Sequence, residues 1–113
     1  MTYFSDDELK CPCCGECRMS PDFMASLNAL REDYGEAIMV NSAYRCLDHN
    51  VRVGGVAGSY HLLGRAVDLS APTVKMRMKF MELAKAHGLF GVGLGSNFIH
   101  LDNRTKPTFW VYR

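Results

Sequence analysis

One stretch constrains this chain more than any other: Ser59-Tyr60-His61-Leu62-Leu63-Gly64-Arg65-Ala66-Val67-Asp68-Leu69-Ser70. It sets a histidine and an aspartate seven positions apart, joins them through a glycine turn and runs into an apolar strand. Strand side chains alternate, so Ala66 and Asp68 share one face while Val67 and Leu69 take the other. A second fragment, Phe98-Ile99-His100-Leu101-Asp102, has the same period. Phe98, His100 and Asp102 are expected on an accessible face, with Ile99 and Leu101 toward the core. His61, Asp68 and His100 meet the count of a catalytic zinc, which takes three protein ligands and keeps one open position. Asp102, two residues beyond His100, could orient that histidine or handle a proton. Spacing alone leaves a second reading open, an ordinary surface His–Asp pair, because short patterns recur by accident.

The rest of the chain is that of one small domain. Its 113 residues are enough for a single core. At 48% apolar and 22% charged residues it is a folding sequence rather than a disordered one. A net charge of +1 gives no electrostatic case for nucleic acid. No apolar run is long enough to insert in a membrane. Met1 to Glu8 is acidic where a signal peptide would be basic and then apolar, so the expectation is synthesis in a cytoplasm.

Taken in order, residues 1–19 read as an irregular, cysteine-rich arm, with a possible helical turn where Ser5 and Glu8 have capping-box spacing. Ser20-Pro21-Asp22 starts a helix, Phe23, Leu27, Leu30 and Tyr34 give it an apolar face, and Gly35 stops it. Residues 37–40 read as a short buried strand. Residues 47–53 have room for a short helix before Gly54-Gly55, and residues 65–70 form the central strand. Pro72-Thr73 opens a second long helix with Met76, Phe80, Leu83, Ala84 and His87 on one face and Gly88 as its stop. His87 reads as a favourable contact with the helix C-terminus. Met39, Met76, Met78 and Met81 read as adaptable core filling. Residues 91–95, 98–102 and 108–112 read as a β-meander. The expected class is α+β, with helices packed on one face of a small antiparallel sheet.

Several blocks occur in a fixed order: Asn41-Ser42-Ala43-Tyr44-Arg45, His49-Asn50, Val53-Gly54-Gly55, the His61 to Leu69 stretch, and Phe98 to Asp102 followed by Trp110. Together they resemble the zinc D-alanyl-D-alanine carboxypeptidases and the related phage and bacterial peptidoglycan endopeptidases, which share a fold with the hedgehog signalling domain. The resemblance runs from about Phe4 to Trp110. It implies a zinc held by His61, Asp68 and His100, and a peptidoglycan stem peptide as substrate. It also implies that Arg45 receives a substrate carboxylate, as a guanidinium fork is suited to do, and that Ser59 bonds the turn or the substrate. Trp110 reads as core or a pocket wall. Such a protein is expected to be a monomer that reaches the bacterial cell wall after release by a route other than a signal peptide.

One departure stands out. Many relatives carry an acid three positions before the final histidine, and some a histidine two before it; here these are Asn97 and Phe98. Asp102 is then the remaining candidate for the catalytic proton. The alternative is a zinc-containing module that binds wall peptides without cutting them. The five cysteines raise a separate question. Cys14-x-x-Cys17 and Cys46-x-x-His49 have knuckle spacing and are a candidate structural site, against unligated thiols as the simpler reading. A nucleic-acid zinc protein built on that cluster is disfavoured by the near-neutral charge.

Overall fold

The computed structural model describes residues 3–112. The helices are α1 (Asp6–Leu9), α2 (Pro21–Tyr34), α3 (Leu47–Arg52) and α4 (Val74–Ala86), with a 3-10 turn at Tyr60–Leu63. The strands are β1 (Val40–Ser42), β2 (Ala66–Ser70), β3 (Gly91–Leu94), β4 (Phe98–Asp102) and β5 (Thr108–Val111). They form one sheet in the order β1-β2-β4-β3-β5. The class is α+β.

Local chemistry sets the helix ends. Ser5 and Glu8 close a capping box on α1. Ser20 Oγ accepts from the Phe23 N–H at 3.4 Å, and Gly35 ends α2 in the left-handed region. Thr73 Oγ1 accepts from the Met76 N–H at 3.1 Å at the start of α4. One apolar cluster joins Phe23, Leu27 and Leu30 of α2 and Phe80, Leu83 and Ala84 of α4 to Val67, Leu69, Ile99 and Leu101 of the sheet. That leaves the other face of β2 and β4 for polar side chains. His87 does more than meet a helix end: its Nε2 lies 2.5 Å from Asp33 Oδ2, tying α4 to α2.

Three expectations need correction. β5 does not continue a meander. It crosses to the far side of β3 and pairs with it in parallel, Gly93 beside Trp110, so the sheet is mixed. The first strand begins at Val40 rather than Ala37, because it is an irregular edge strand with a register shift between Val40 and Ser42. Met39 is 69% and Met78 65% exposed, so of these four methionines Met76 and Met81 pack against the core. The N-terminal segment, irregular outside α1, packs into the core, with Phe4, Leu9 and Cys11 buried and the Tyr44 N–H donated to the Leu9 carbonyl at 3.1 Å.

Candidate metal centre

The polar face of the sheet is organised as one row. Ser42 pairs with Asp68, Asp68 with His100, His100 with Gly93, and Gly93 with Trp110. Gly93 contributes no side chain, and a Cβ there would overlap the Trp110 indole. The indole therefore lies against His100, with ring centroids 5.1 Å apart. His61 arrives from the 3-10 turn, where Ser59 Oγ accepts its N–H at 3.2 Å. Gly64 ends that turn at φ 67 and passes so close to the Arg18 carbonyl that a side chain would not fit.

Tautomers follow from the partners. His61 Nδ1 lies 2.6 Å from the Ala43 carbonyl, which can only accept, so Nδ1 carries the hydrogen. His61 Nε2 is then a lone pair, and it is buried with no hydrogen-bond partner. It faces Asp68 Oδ1 at 3.3 Å. His100 Nε2 donates to Asp102 Oδ2 at 2.7 Å, which leaves Nδ1 facing the same Asp68 Oδ1 at 3.0 Å. Three electron-pair donors thus converge, all within 4.8 Å of one another. Acceptors facing acceptors in a buried site need a proton or a metal cation between them. Ligand bonds of about 2.1 Å in a tetrahedron put neighbouring donor atoms roughly 3.4 Å apart, so the donor set fits a zinc ion.

The electrostatics agree. Burial pushes the Asp68 carboxyl up, but His100 and His61 outweigh it and hold the group well below the usual carboxylate range. Arg45 supports the other oxygen: its Nη2 donates to Asp68 Oδ2 at 3.1 Å. Arg45 Nε donates to Ser42 Oγ and its Nη1 to Asn50 Oδ1, so the guanidinium is fixed on three sides.

Asp102 is not on an accessible face. It is fully buried behind His100, because β3 presents Gly91 beside it and a Cβ at Gly91 would overlap the carboxylate. Both oxygens are engaged: Arg104 donates from its backbone N–H and Nε to Oδ1, and from Nη2 to Oδ2 at 2.7 Å. Burial raises its pKa, yet His100 and Arg104 overcome this and hold the group strongly ionised. Arg104 in turn lies over the Tyr60 and Trp110 rings, at 4.7 and 4.9 Å from their centroids. Sequence reasoning missed Arg104, since nothing in Asp102-Asn103-Arg104 marks a fork folding back onto a carboxylate. It missed the Ala43 carbonyl for the same reason: a backbone atom leaves no trace in residue identity.

A cleft of about 600 Å³ opens onto the ligands and is lined by Arg45, Ser59, Tyr60, Phe98, Trp110 and Tyr112, among others. Trp110 is a pocket wall. Asn97 is exposed, its carbonyl accepting from the Ala71 N–H, and it does not line the cleft. Among the described residues lining the cleft, Asp68 is the one carboxylate.

The cysteines sort differently from their spacing. The thiols that meet are Cys11, Cys14 and Cys46. Cys17 packs against the hydrophobic core, and His49 joins the group only through its backbone N–H, donated to Cys46 Sγ at 3.5 Å. Burial raises the Cys11 thiol, but backbone N–H groups of Cys46, Cys14 and Cys13 bring it down to about 7.

No helix among the described residues is long and apolar enough to cross a membrane. No curated protein matches the chain. A family model described as Peptidase M15 matches residues 2–102, so the chain that carries this His–Asp–His centre belongs to the peptidase M15 family.

Proposed function

We propose that this chain is a zinc peptidase that hydrolyses the stem peptides of peptidoglycan, either as a carboxypeptidase removing a terminal D-alanine or as an endopeptidase of the lysin type. The observation that carries the reading is the orphaned Nε2 of His61, aimed with Asp68 Oδ1 and His100 Nδ1 at one point on the floor of a cleft. His61, Asp68 and His100 would hold the ion. When bound, zinc supplies the Lewis acidity that polarises an amide carbonyl and acidifies water.

The chain's own residues do the rest. Asp102 fixes the His100 ring through Nε2 and makes Nδ1 the better donor, so it acts as a positioning residue rather than as the acid or base. Arg104 holds Asp102 in place. Arg45 holds Asp68 and borders the cleft, where its positive charge favours a peptide carboxylate. Phe98, Trp110 and Tyr112 give an apolar wall that limits water around the substrate. With Asp102 turned away, proton exchange at the leaving amine passes through solvent in the cleft. The protein acts on the cell wall after release from a cytoplasm, as a monomer.

A second reading has its own observation. The cleft offers no carboxylate besides Asp68, and Phe98 and Asn97 replace the usual proton carriers. That composition suits a module that binds wall peptides without cutting them. Digestion of purified peptidoglycan with and without a chelator, read by mass spectrometry, separates the two. Chelator-sensitive release of fragments supports the peptidase, and the fragment masses name the bond. Binding to the wall by zinc-loaded protein with no fragments released sinks it in favour of the module.

A further inference from the structure

We infer that Cys11, Cys14 and Cys46 hold a second, structural zinc ion, with Cys13 as its fourth ligand, and that this ion staples the N-terminal segment to α3. The inference is independent of the peptidase reading. Cys11-Pro12-Cys13-Cys14-Gly15 is itself a two-residue-spaced cysteine pair, bent by a proline and closed by a glycine at φ 75. The Gly15 N–H donates to the Cys11 carbonyl at 2.8 Å, and the Cys11 N–H to the Glu16 carbonyl at 2.7 Å. These bonds fold the loop so that its thiols turn toward Cys46, the N-cap of α3.

The three sulfurs lie within 4.8 Å of one another, and Cys11 Sγ is 3.6 Å from Cys46 Sγ. Four zinc–sulfur bonds of about 2.3 Å place neighbouring sulfurs roughly 3.8 Å apart, so the group has the size of a thiolate site. A single disulfide would use two of these thiols and leave the third without a partner. Backbone donors already point at the sulfurs: Cys46 N–H to Cys11 Sγ at 3.4 Å and His49 N–H to Cys46 Sγ at 3.5 Å. The thiolate is the form that binds metal. Cys13 is exposed and stands between Cys11 and Cys14 in the loop, outside the converging group; turning its side chain toward Cys46 would supply the fourth sulfur. Arg52 Nη1 lies 3.7 Å from Cys13 Sγ and offsets the excess negative charge of four thiolates on one zinc. With four protein ligands there is no open position, which makes the ion structural rather than catalytic. Its effect reaches the cleft, because Cys46 follows Arg45 and the Ala43 carbonyl fixes the His61 ring.

The test counts metal in the full chain purified under reducing conditions, and records the absorption of its cobalt-substituted form. Cobalt bound by thiolates gives a strong sulfur-to-metal charge-transfer band that histidine and carboxylate ligands do not. The expected result is two zinc ions per chain, falling to one in Cys14→Ser and to one in His61→Ala. The cobalt–thiolate band survives in His61→Ala, disappears in Cys14→Ser and weakens in Cys13→Ser. Cys14 is exposed, so its substitution leaves the apolar core untouched. One zinc per chain, lost in His61→Ala and with no thiolate band, overturns the inference. So does a Cys11–Cys46 disulfide that survives the reducing purification. An unchanged band in Cys13→Ser overturns the fourth ligand. A single zinc lost in Cys14→Ser but kept in His61→Ala supports the staple while overturning the catalytic centre.

Discussion

His100 is held between two carboxylates, and its ring nitrogens divide the work. Nε2 donates to Asp102 and Nδ1 faces Asp68. In the metal-free chain burial alone would lower the histidine's pKa; the bonds to Asp102 and Asp68 outweigh it and raise the group. A raised folded pKa contributes stability that is fully present below the ordinary histidine value of about 6.5 and is lost as pH rises through the folded value. Asp102 has the opposite sign: its contribution is present above about pH 4 and is lost as pH falls. Protonated His100 cannot bind metal, so zinc affinity should fall as pH drops through the raised pKa of His100. Competition titrations against a chelator across pH measure this. Asp102→Asn should weaken zinc about 10- to 100-fold and move the loss of affinity to lower pH; an unmoved profile would show that Asp102 does not tune the ring. Arg45→Ala should weaken zinc through Asp68 and also raise KM for a substrate with a free carboxylate. A change in KM alone would assign Arg45 to substrate only. That His61, Asp68 and His100 come together was legible from the two-residue period taken with the family resemblance. The burial of Asp102 was not, because Gly91 and Arg104 reach it only through strand pairing and a turn. Cys11-x-x-Cys14 and Cys14-x-x-Cys17 have the same spacing, so the sequence does not say which pair meets Cys46.

At the scale of elements, β3 is the strand that shapes the site while supplying none of its chemistry. Gly91 admits the Asp102 carboxylate, and Gly93 admits the Trp110 indole against His100. Gly93→Val should cost about 1–3 kcal/mol by forced overlap, and should displace Trp110 from the cleft. Urea unfolding and the tryptophan emission maximum would record both; wild-type stability with unshifted emission would contradict this packing. On the opposite face Phe80 is fully buried between α4 and the sheet, and Phe80→Ala should cost about 3–5 kcal/mol by the same unfolding measurement. Helix limits were legible from caps and stops at Ser20, Thr73 and Gly35, which act locally. The partner of β5 was not, because residues 103–107 read as a turn whether the chain returns beside β4 or crosses to β3. Only the pairing of Gly93 with Trp110 distinguishes the two.

At the scale of the molecule, the sheet divides labour between its faces. The apolar face carries α2 and α4, and the polar face carries the candidate metal centre, so the core and the site share β2 and β4. Metal binding then contributes to stability: an ion at a thousandfold excess over its Kd adds about 4 kcal/mol. Chelation should lower Tm in the wild-type chain, and by less in His61→Ala, where the proposed zinc site is already lost. The most direct measurement is a crystal structure of the zinc-loaded chain with anomalous diffraction recorded at the zinc edge. The account predicts a peak about 2.0–2.2 Å from His61 Nε2, Asp68 Oδ1 and His100 Nδ1, open toward the cleft on its fourth side. No peak there in fully loaded protein, or an ion bound through His100 Nε2 with Asp102 displaced, would contradict it.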